Sequence, residues 1–239
     1  MSGTRHETQA SLRNLSVGAL IVSVSLGLAS DLLFVAALQF RVDWFEDPAL
    51  LVAGGASSAE LLKWAALTDL FSYYLPTTVV AIALWSVFRR RDPILPFAAI
   101  LSALGYVIAG SIGAASLAMA GPVLIREYAA SGVDRAAIAT AFGVVIQIVF
   151  RAIWQLVDGV FIAIWMIGVG FLIRTDQPAF ARLSWTLGGL FLLGATFNAV
   201  GFGLGRDAIL GVVFVAWFAW DIWLAVLVWR RRSPFNTLA

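Results

Sequence analysis

The sequence predicts an all-α integral membrane protein, a single bundle of six transmembrane helices with both termini cytoplasmic. Of its 239 residues, 61% are hydrophobic and 13% are charged, whereas soluble domains average about 45–50% apolar and about 25% charged residues. The apolar residues form six long runs, and three consecutive arginines follow both the second run and the sixth. Such a chain cannot hide its apolar surface in one soluble core, so we expect it to lie in a bilayer.

The composition also excludes several kinds of site. The chain has no cysteine, which excludes disulfides, iron–sulfur clusters and thiolate metal sites. Its one histidine, His6, lies in the polar N-terminal segment, so zinc sites of the usual kind and histidine-based triads are not expected. The net charge is only +2, and the arginines cluster at the ends of apolar runs as topology signals do. We therefore expect no cofactor, no metal and no nucleic-acid partner.

The first two spans follow from the lengths of their apolar runs. Residues 1–14 are polar and are predicted to form a cytoplasmic tail. The run 15–40 exceeds the roughly 20 residues that span a bilayer, and it is too long for the hydrophobic region of a signal peptide. An acidic, aromatic connection over 41–58 is expected at the outer interface. The second span, 60–88, contains Pro76, which is predicted to kink it.

The third and fourth runs are longer than a bilayer requires. The third span, 95–120, has small residues at four-residue steps from Gly105 to Gly113, which allow neighbouring helices to approach closely. Pro122 is predicted to end it. The fourth run, 136–173, would extend about 57 Å as a helix against a hydrocarbon core of about 30 Å. Its outer part must therefore tilt, project or pack along the interface.

The last two spans complete the topology. The fifth is predicted over 183–204 and the sixth over 208–229, joined by a short outer turn at 205–207. The transmembrane domain is thus predicted to cover 15–232, with a cytoplasmic C-terminal tail over 233–239. Because cytoplasmic loops carry an excess of arginine, one face should hold three basic segments: Arg89–Arg91, Arg174 with Arg182, and Arg230–Arg232.

Polar side chains inside the spans define a candidate site, because an ionisable residue in a membrane is costly and is a functional hypothesis by default. On the fourth span four polar residues recur at steps of four, four and three, which places them in one stripe of an α-helix. No catalytic residue is identifiable. The candidate binding residues or polar core are Asp31, Asp69, Tyr73, Gln147, Arg151, Gln155, Asp158, Asn198 and Asp221.

Helical rise gives these residues approximate depths. Counted from the inner end of each span at about 1.5 Å per residue, four residues fall in one outer layer: Asp31, Asp69, Arg151 and Asn198. Asp158 lies below this layer, and Asp221 lies nearer the cytoplasm. The four aspartates and one arginine of this set require protons, a bound cation or water to offset their charge. Two other interpretations stay open: Arg151 snorkels to the outer headgroups, or it forms a purely structural ion pair with Asp31 and Asp69.

Three segments also carry a resemblance. Residues 161–174 and 182–189 combine tryptophan and glycine with loose apolar patterns, and residues 61–69 show a similar style. They resemble a bacterial six-span membrane family that carries the domain of unknown function numbered four-three-eight-six, over about residues 15–205. The resemblance implies six helices and a bacterial inner membrane. It supplies no site residues.

Three functions are compatible with these features. The first is a small transporter or a proton- or cation-coupled permeation protein that uses the buried carboxylates. The second is a non-catalytic membrane subunit, sensor or assembly factor with a structural polar core. The third is a lipid-modifying enzyme, although the two isolated aspartates Asp31 and Asp69 form no recognised catalytic motif. Beyond the lipid bilayer, the expected partners are a second copy of the chain or a membrane subunit.

Overall fold

A computed structural model confirms the predicted all-helical architecture. The structure describes residues 3–41, 47–91 and 93–238, and within them the chain forms helices and no β-strand. Six helices are long and apolar enough to cross a membrane. They are α1 (Gly3–Ala37), α2 (Gly55–Phe88), α3 (Ile94–Ala129), α4 (Arg135–Ile173), α5 (Pro178–Ala199) and α6 (Gly203–Trp229). A short helix, Pro48–Val52, precedes α2, and a 3-10 helix, Phe235–Thr237, follows α6.

Helix α1 differs from its prediction at both ends. It begins at Gly3, because helical backbone continues past the apolar run where no glycine or proline stops it. It ends at Ala37, and Gln39 and Phe40 adopt left-handed backbone with φ of 51° and 61°. The side chain of His6 and the acidic, aromatic segment 42–46 lie outside the described residues.

The predicted break at Pro122 is wrong, since α3 continues through it to Ala129. A proline removes one backbone hydrogen bond and disfavours a helix interior. Here Gly121 and Pro122 are both buried against α2. A Cβ at Gly121 would lie 2.9 Å from Leu62 Cδ2, so the glycine allows this close helix contact. Packing therefore holds a helix that propensity alone would end.

The predicted turn at 205–207 is also wrong. Helix α5 ends at Ala199, and the chain turns through Gly201, which has a φ of 76°. Left-handed backbone of this kind favours glycine. Helix α6 then begins at Gly203. The charged residue Arg206 consequently lies within the first turns of a spanning helix.

The excess length of α3 and α4 is taken up by a second apolar core at one end of the bundle. The first part of α4, Arg135–Ile146, packs against the short helix Pro48–Val52 and against α3. Leu51, Leu62 and Phe142 are fully or almost fully buried there. The outer part of α4 therefore packs on protein.

The opposite end gathers the arginine-rich segments. Arg91 pairs with Asp176 at 2.5 Å, and Ser233 Oγ donates to the same carboxylate. Gln177 donates to the carbonyl oxygen of Ser233 at 2.9 Å. These contacts join the α2–α3 connection, the α4–α5 turn and the C-terminal segment. The C-terminal segment and the three basic clusters thus share what we call the arginine-rich end.

The same contacts set the charge of Asp176. Partial burial acts to raise the pKa of this carboxyl group, but the hydrogen bonds from Ser233 and Arg91 and the charge of Arg91 outweigh it, and the net pKa is lowered. The carboxylate form is therefore stabilised in the folded protein.

Candidate functional site

All six spanning helices line one cavity with a volume of about 440 Å³. Volumes of about 300–1,000 Å³ are typical of small-molecule sites. Its lining comes from the last part of α1, the middle of α4 and the first half of α6. The cavity therefore extends from the middle of the bundle toward the end remote from the arginine-rich end.

Two deeply buried carboxyl groups, Asp69 and Asp158, form what we call the floor pair of this cavity. Their residues are 8% and 3% exposed. Tyr74 Oη donates to Asp158 Oδ2 at 3.2 Å. Asp69 Oδ2 and Asp158 Oδ1 are buried and have no hydrogen-bond partner among the described residues. Because unpaired buried charge is costly, each floor carboxyl requires a proton, a cation or a bound molecule.

A third carboxyl group, Asp31, lies on the same cavity at a shallower and half-buried position. Tyr73 Oη lies 3.3 Å from its Oδ2 and 3.4 Å from its Oδ1. Tyr73 is thus a described hydrogen-bond partner of Asp31. An ion pair between Arg151 and the carboxylates Asp31 and Asp69 stays a prediction.

Aromatic rings close the cavity toward the arginine-rich end. The Trp217 ring lies 6.0 Å from Tyr73, 6.1 Å from Tyr106 and 5.7 Å from Phe191, measured between centroids. Tyr74 stacks beside Tyr106 at 5.0 Å. Four of these rings are buried and form what we call the Trp217 cluster: Trp217, Tyr73, Tyr74 and Tyr106. They separate the cavity from the half of the bundle next to the arginine-rich end.

Two arginines also line the cavity. Arg151 is half-buried, and Arg206 is only 3% exposed, with its Nε 2.7 Å from Asp207 Oδ1. With four aspartates and two arginines in its lining, the cavity has a formal charge of −2. Sequence reasoning missed Arg206 because a charged residue between two apolar runs was assigned to a turn.

Two π-helical segments carry much of the lining. One is Leu70–Tyr74 in α2, and the other is Gln147–Val157 in α4. The first supplies Tyr73 and Tyr74, and the second supplies Arg151 and Gln155. Such segments are rare and are often found at functional sites.

The structure brings six of the nine sequence-derived candidates onto this one cavity. They are Asp31, Asp69, Tyr73, Arg151, Gln155 and Asp158. Gln147 lies outside it with an exposed side chain. Gln147 is the first residue of the π-helical segment of α4, and the other three members of the predicted stripe lie on the cavity.

Asn198 and Asp221 also lie away from the cavity lining. Asn198 Nδ2 donates to the carbonyl oxygen of Arg151 at 2.8 Å and so ties α5 to the π-helical segment of α4. Asp221 Oδ2 accepts from Ser23 at 2.7 Å and from Trp217 at 3.1 Å. It lines a separate pocket of about 10 Å³, which is about the size that one water molecule needs. Trp217 lines both spaces.

Fold and site together define a class: a multi-pass helical membrane protein with a buried, acidic and aromatic cavity. No protein-family model, no curated protein and no solved structure matches this chain. In the part of the chain that the structure describes, no three histidine, aspartate or glutamate side chains form a group that could hold a metal ion.

Proposed function

We propose that this protein is a small transporter that couples the movement of a solute through its cavity to protons. The observation that carries the proposal is the floor pair, two deeply buried carboxyl groups on a cavity, each with an unpartnered oxygen. Ionisable residues that face an internal cavity in a membrane mark substrate and proton pathways.

The helical arrangement supports the same proposal. Because all six spanning helices contribute to the lining, small relative movements of the helices change the shape of the cavity. The Trp217 cluster would form the barrier toward the arginine-rich end. Asp221 lies beyond that barrier with space for about one water molecule, so it would continue a proton path on the far side.

The environment of the floor pair fits a group that exchanges protons with a ligand. Carboxyl groups without a described cation partner gain from either a proton or a cationic ligand, and the two compete. Helix α5 contributes only the apolar Phe191 to the lining. The charged and titratable groups that share the cavity are Asp31 on α1, Tyr73 and Tyr74 on α2, Tyr106 on α3, Arg151 on α4, and Arg206 and Asp207 on α6.

The unpartnered oxygens also favour transport over a purely structural polar core. A core that served only to fix helix register would satisfy its polar atoms, since partly satisfied networks in low dielectric are costly. Asp221 meets that description, with two donors on one oxygen. The floor pair does not.

We further propose that the protein lies in the cytoplasmic membrane of a bacterium with both termini in the cytoplasm. The support is the arginine-rich end, because basic residues accumulate on the cytoplasmic side.

Reconstitution tests the transport proposal. Liposomes with an internal pH dye would hold the wild type, the double variant Asp69→Asn with Asp158→Asn, or the control Glu127→Gln, which removes an exposed charge elsewhere. External addition of cationic, zwitterionic and anionic small solutes should change the internal pH for at least one class. The double variant should lose this response and the control should keep it. No response to any class in the wild type, or an unchanged response in the double variant, would refute the proposal.

A further inference from the structure

We propose that the cavity selects a small organic cation with an apolar body, such as an amine or a quaternary ammonium compound. The ligand class rests on the proposed function for its role, while its binding can be measured without transport. The first support is the floor pair. Asp69 Oδ2 and Asp158 Oδ1 are acceptors without a partner, in residues more than nine-tenths buried. A cationic group is the ligand part that such oxygens bind most strongly.

The aromatic walls give the second support. Tyr74 and Tyr106 lie together at 5.0 Å, and Trp217 lies 6.1 Å from Tyr106, all of them on the cavity. Cations are attracted to the faces of aromatic rings within about 6 Å of the centroid. Quaternary ammonium groups are recognised by aromatic cages of this type. Carboxylates beneath tyrosine and tryptophan rings therefore match an organic ammonium group.

Size separates this ligand from an inorganic ion. A volume of about 440 Å³ is far larger than a bare metal ion requires, and it falls in the range of sites for small organic molecules. Phe34, Phe150, Leu210, Val213 and Phe214 add apolar surface to the lining. That surface would contribute nothing to a hydrated inorganic ion, whereas it would bury the apolar body of an organic one.

The two arginines make an anionic solute the competing ligand class. Arg206 already contacts Asp207 at 2.7 Å, which offsets part of its charge. When a cationic ligand replaces the protons of the floor pair and all four aspartates are ionised, the lining has a formal charge of −2, and complementary potential governs which charged partner a cleft attracts. The balance of charge thus favours the cation.

Calorimetric titration of the full-length protein in detergent tests this ligand class. The probes would be benzyltrimethylammonium, its neutral counterpart neopentylbenzene, and phenylacetate as the anion. We expect saturable binding of benzyltrimethylammonium and at least about tenfold weaker binding of the other two probes, a difference of about 1.4 kcal/mol. Asp69→Asn with Asp158→Asn should weaken the cation at least tenfold, and Glu127→Gln should leave it unchanged.

A second pair of variants guards against misfolding of the aspartate variant. Tyr106→Phe keeps the ring and should keep the affinity within about twofold, whereas Tyr106→Leu removes the ring and should weaken binding at least fivefold, the range expected of a cation–π contact. Preferred binding of phenylacetate or the neutral probe, or equal affinity in the Leu and Phe variants, would overturn the proposed ligand class.

The two proposals fail in different ways. If an anionic solute changed the pH inside liposomes and no cation bound, transport would stand and the ligand class would fall. If benzyltrimethylammonium bound with the expected pattern and no solute moved protons, the ligand class would stand and transport would fall.

Discussion

The carboxyl group of Asp158 is held in place through one oxygen and has its other oxygen available for a ligand. Its Oδ2 accepts from Tyr74 at 3.2 Å, while its Oδ1 has no partner among the described residues. A hydrogen bond to one oxygen fixes the plane of the group and leaves the other oxygen available. Preorganisation of this kind lowers the cost of binding, because less side-chain freedom is lost when a ligand arrives.

Tyr74→Phe tests this orientation at the scale of one hydroxyl group. The variant keeps the ring and removes the donor to Asp158, and hydrogen bonds to charged groups contribute about 1.5–3 kcal/mol. We expect binding of benzyltrimethylammonium to weaken about tenfold, measured by calorimetric titration. Tyr73→Phe is the matched control, because its hydroxyl contacts the shallower Asp31 at the longer distances of 3.3 and 3.4 Å. A larger effect from Tyr73→Phe would contradict the assigned role of Tyr74.

Among single residues, the sequence pointed to Asp31, Asp69 and Asp158, which line the cavity, and missed Arg206 and Asp207, which line it too. A carboxylate in the middle of an apolar run is recognisable, since nothing but function or pairing explains it. Arg206 lies near the end of such a run, where charge is also typical of a connecting turn. Only the three-dimensional position of the first turns of α6 shows that this side chain is buried.

At the scale of helices, Gly110 sets the distance between α3 and the π-helical segment of α2. A Cβ at this position would lie 1.9 Å from Tyr74 Cε1 and 2.6 Å from Asp158 Oδ2. Trp154 Nε1 donates to the Gly110 carbonyl oxygen at 3.3 Å, so α4 packs against the same point. The glycine thus makes room for the tyrosine that orients Asp158.

Gly110→Ala should therefore destabilise the bundle and weaken ligand binding together. Extra methyl groups in packed interiors cost about 1–3 kcal/mol, and we expect a loss of this size in denaturant titrations in detergent. Gly189→Ala is the control, since a Cβ there would have no contact within 4 Å. Alanine there should be neutral or stabilise by up to about 1 kcal/mol. If Gly110→Ala matched the control in stability and binding, the close approach of Gly110 to Tyr74 and Asp158 would contribute nothing measurable to the free energy of unfolding or of binding.

The existence of each spanning helix was predictable, and most errors concern where helices end. Apolar runs predict which segments cross the bilayer, but α1 and α3 continue beyond these runs into polar or proline-containing sequence. The π-helical segments were not predictable either. The four-residue spacing of the polar stripe does not distinguish an α-helix from a π-helix, and nothing local in Gln147–Val157 indicates the change of hydrogen-bond pattern.

Asp176 gives the arginine-rich end a testable pH dependence. Because its pKa is lowered in the folded protein, it contributes stability above its unfolded pKa of about 3.9. That stability is lost as the pH falls through this value and then through the lower folded pKa. Asp176→Asn should cost about 1 kcal/mol at neutral pH, and this cost should shrink as the pH falls below the unfolded pKa of about 3.9.

Melting temperatures of wild type and Asp176→Asn across this pH range provide the measurement. The two curves should converge as the pH falls. Glu127→Gln, an exposed carboxyl group on α3, should follow the wild type throughout. A constant difference between Asp176→Asn and wild type at every pH would show that the effect is packing and not charge.

At the scale of the whole molecule, the two ends of the bundle differ in structure. The cavity extends toward one end, the Trp217 cluster closes it in the middle, and the arginine-rich end is held by the Asp176 contacts. A second apolar core thickens the remote end through α3, α4 and the short helix Pro48–Val52. If the protein transports a solute as proposed, a cavity that extends toward one end only would correspond to one of the two states of alternating access.

Because the two ends differ, the orientation of the protein in the membrane determines the side toward which the cavity extends. The prevalence of arginine on the cytoplasmic side predicts that Asn236 lies inside and that Ser131, in the α3–α4 connection, lies outside. The chain has no cysteine, and both positions are exposed, so single cysteines can report their side without background. In intact cells, a membrane-impermeant maleimide should label Ser131→Cys and should leave Asn236→Cys unlabelled.

Permeabilised cells supply the control, because both cysteines should then react to the same extent. An unreactive Ser131→Cys in permeabilised cells would indicate local burial. Val133→Cys, at a position that is 37% exposed, would then replace it. The neighbouring Gly132 is less suitable because its left-handed φ of 75° disfavours any other residue. Labelling of Asn236→Cys in intact cells, with protection of the α3–α4 connection, would invert the molecule. The cavity would then face the cytoplasm, and the resting state would be one that loads its ligand from inside the cell.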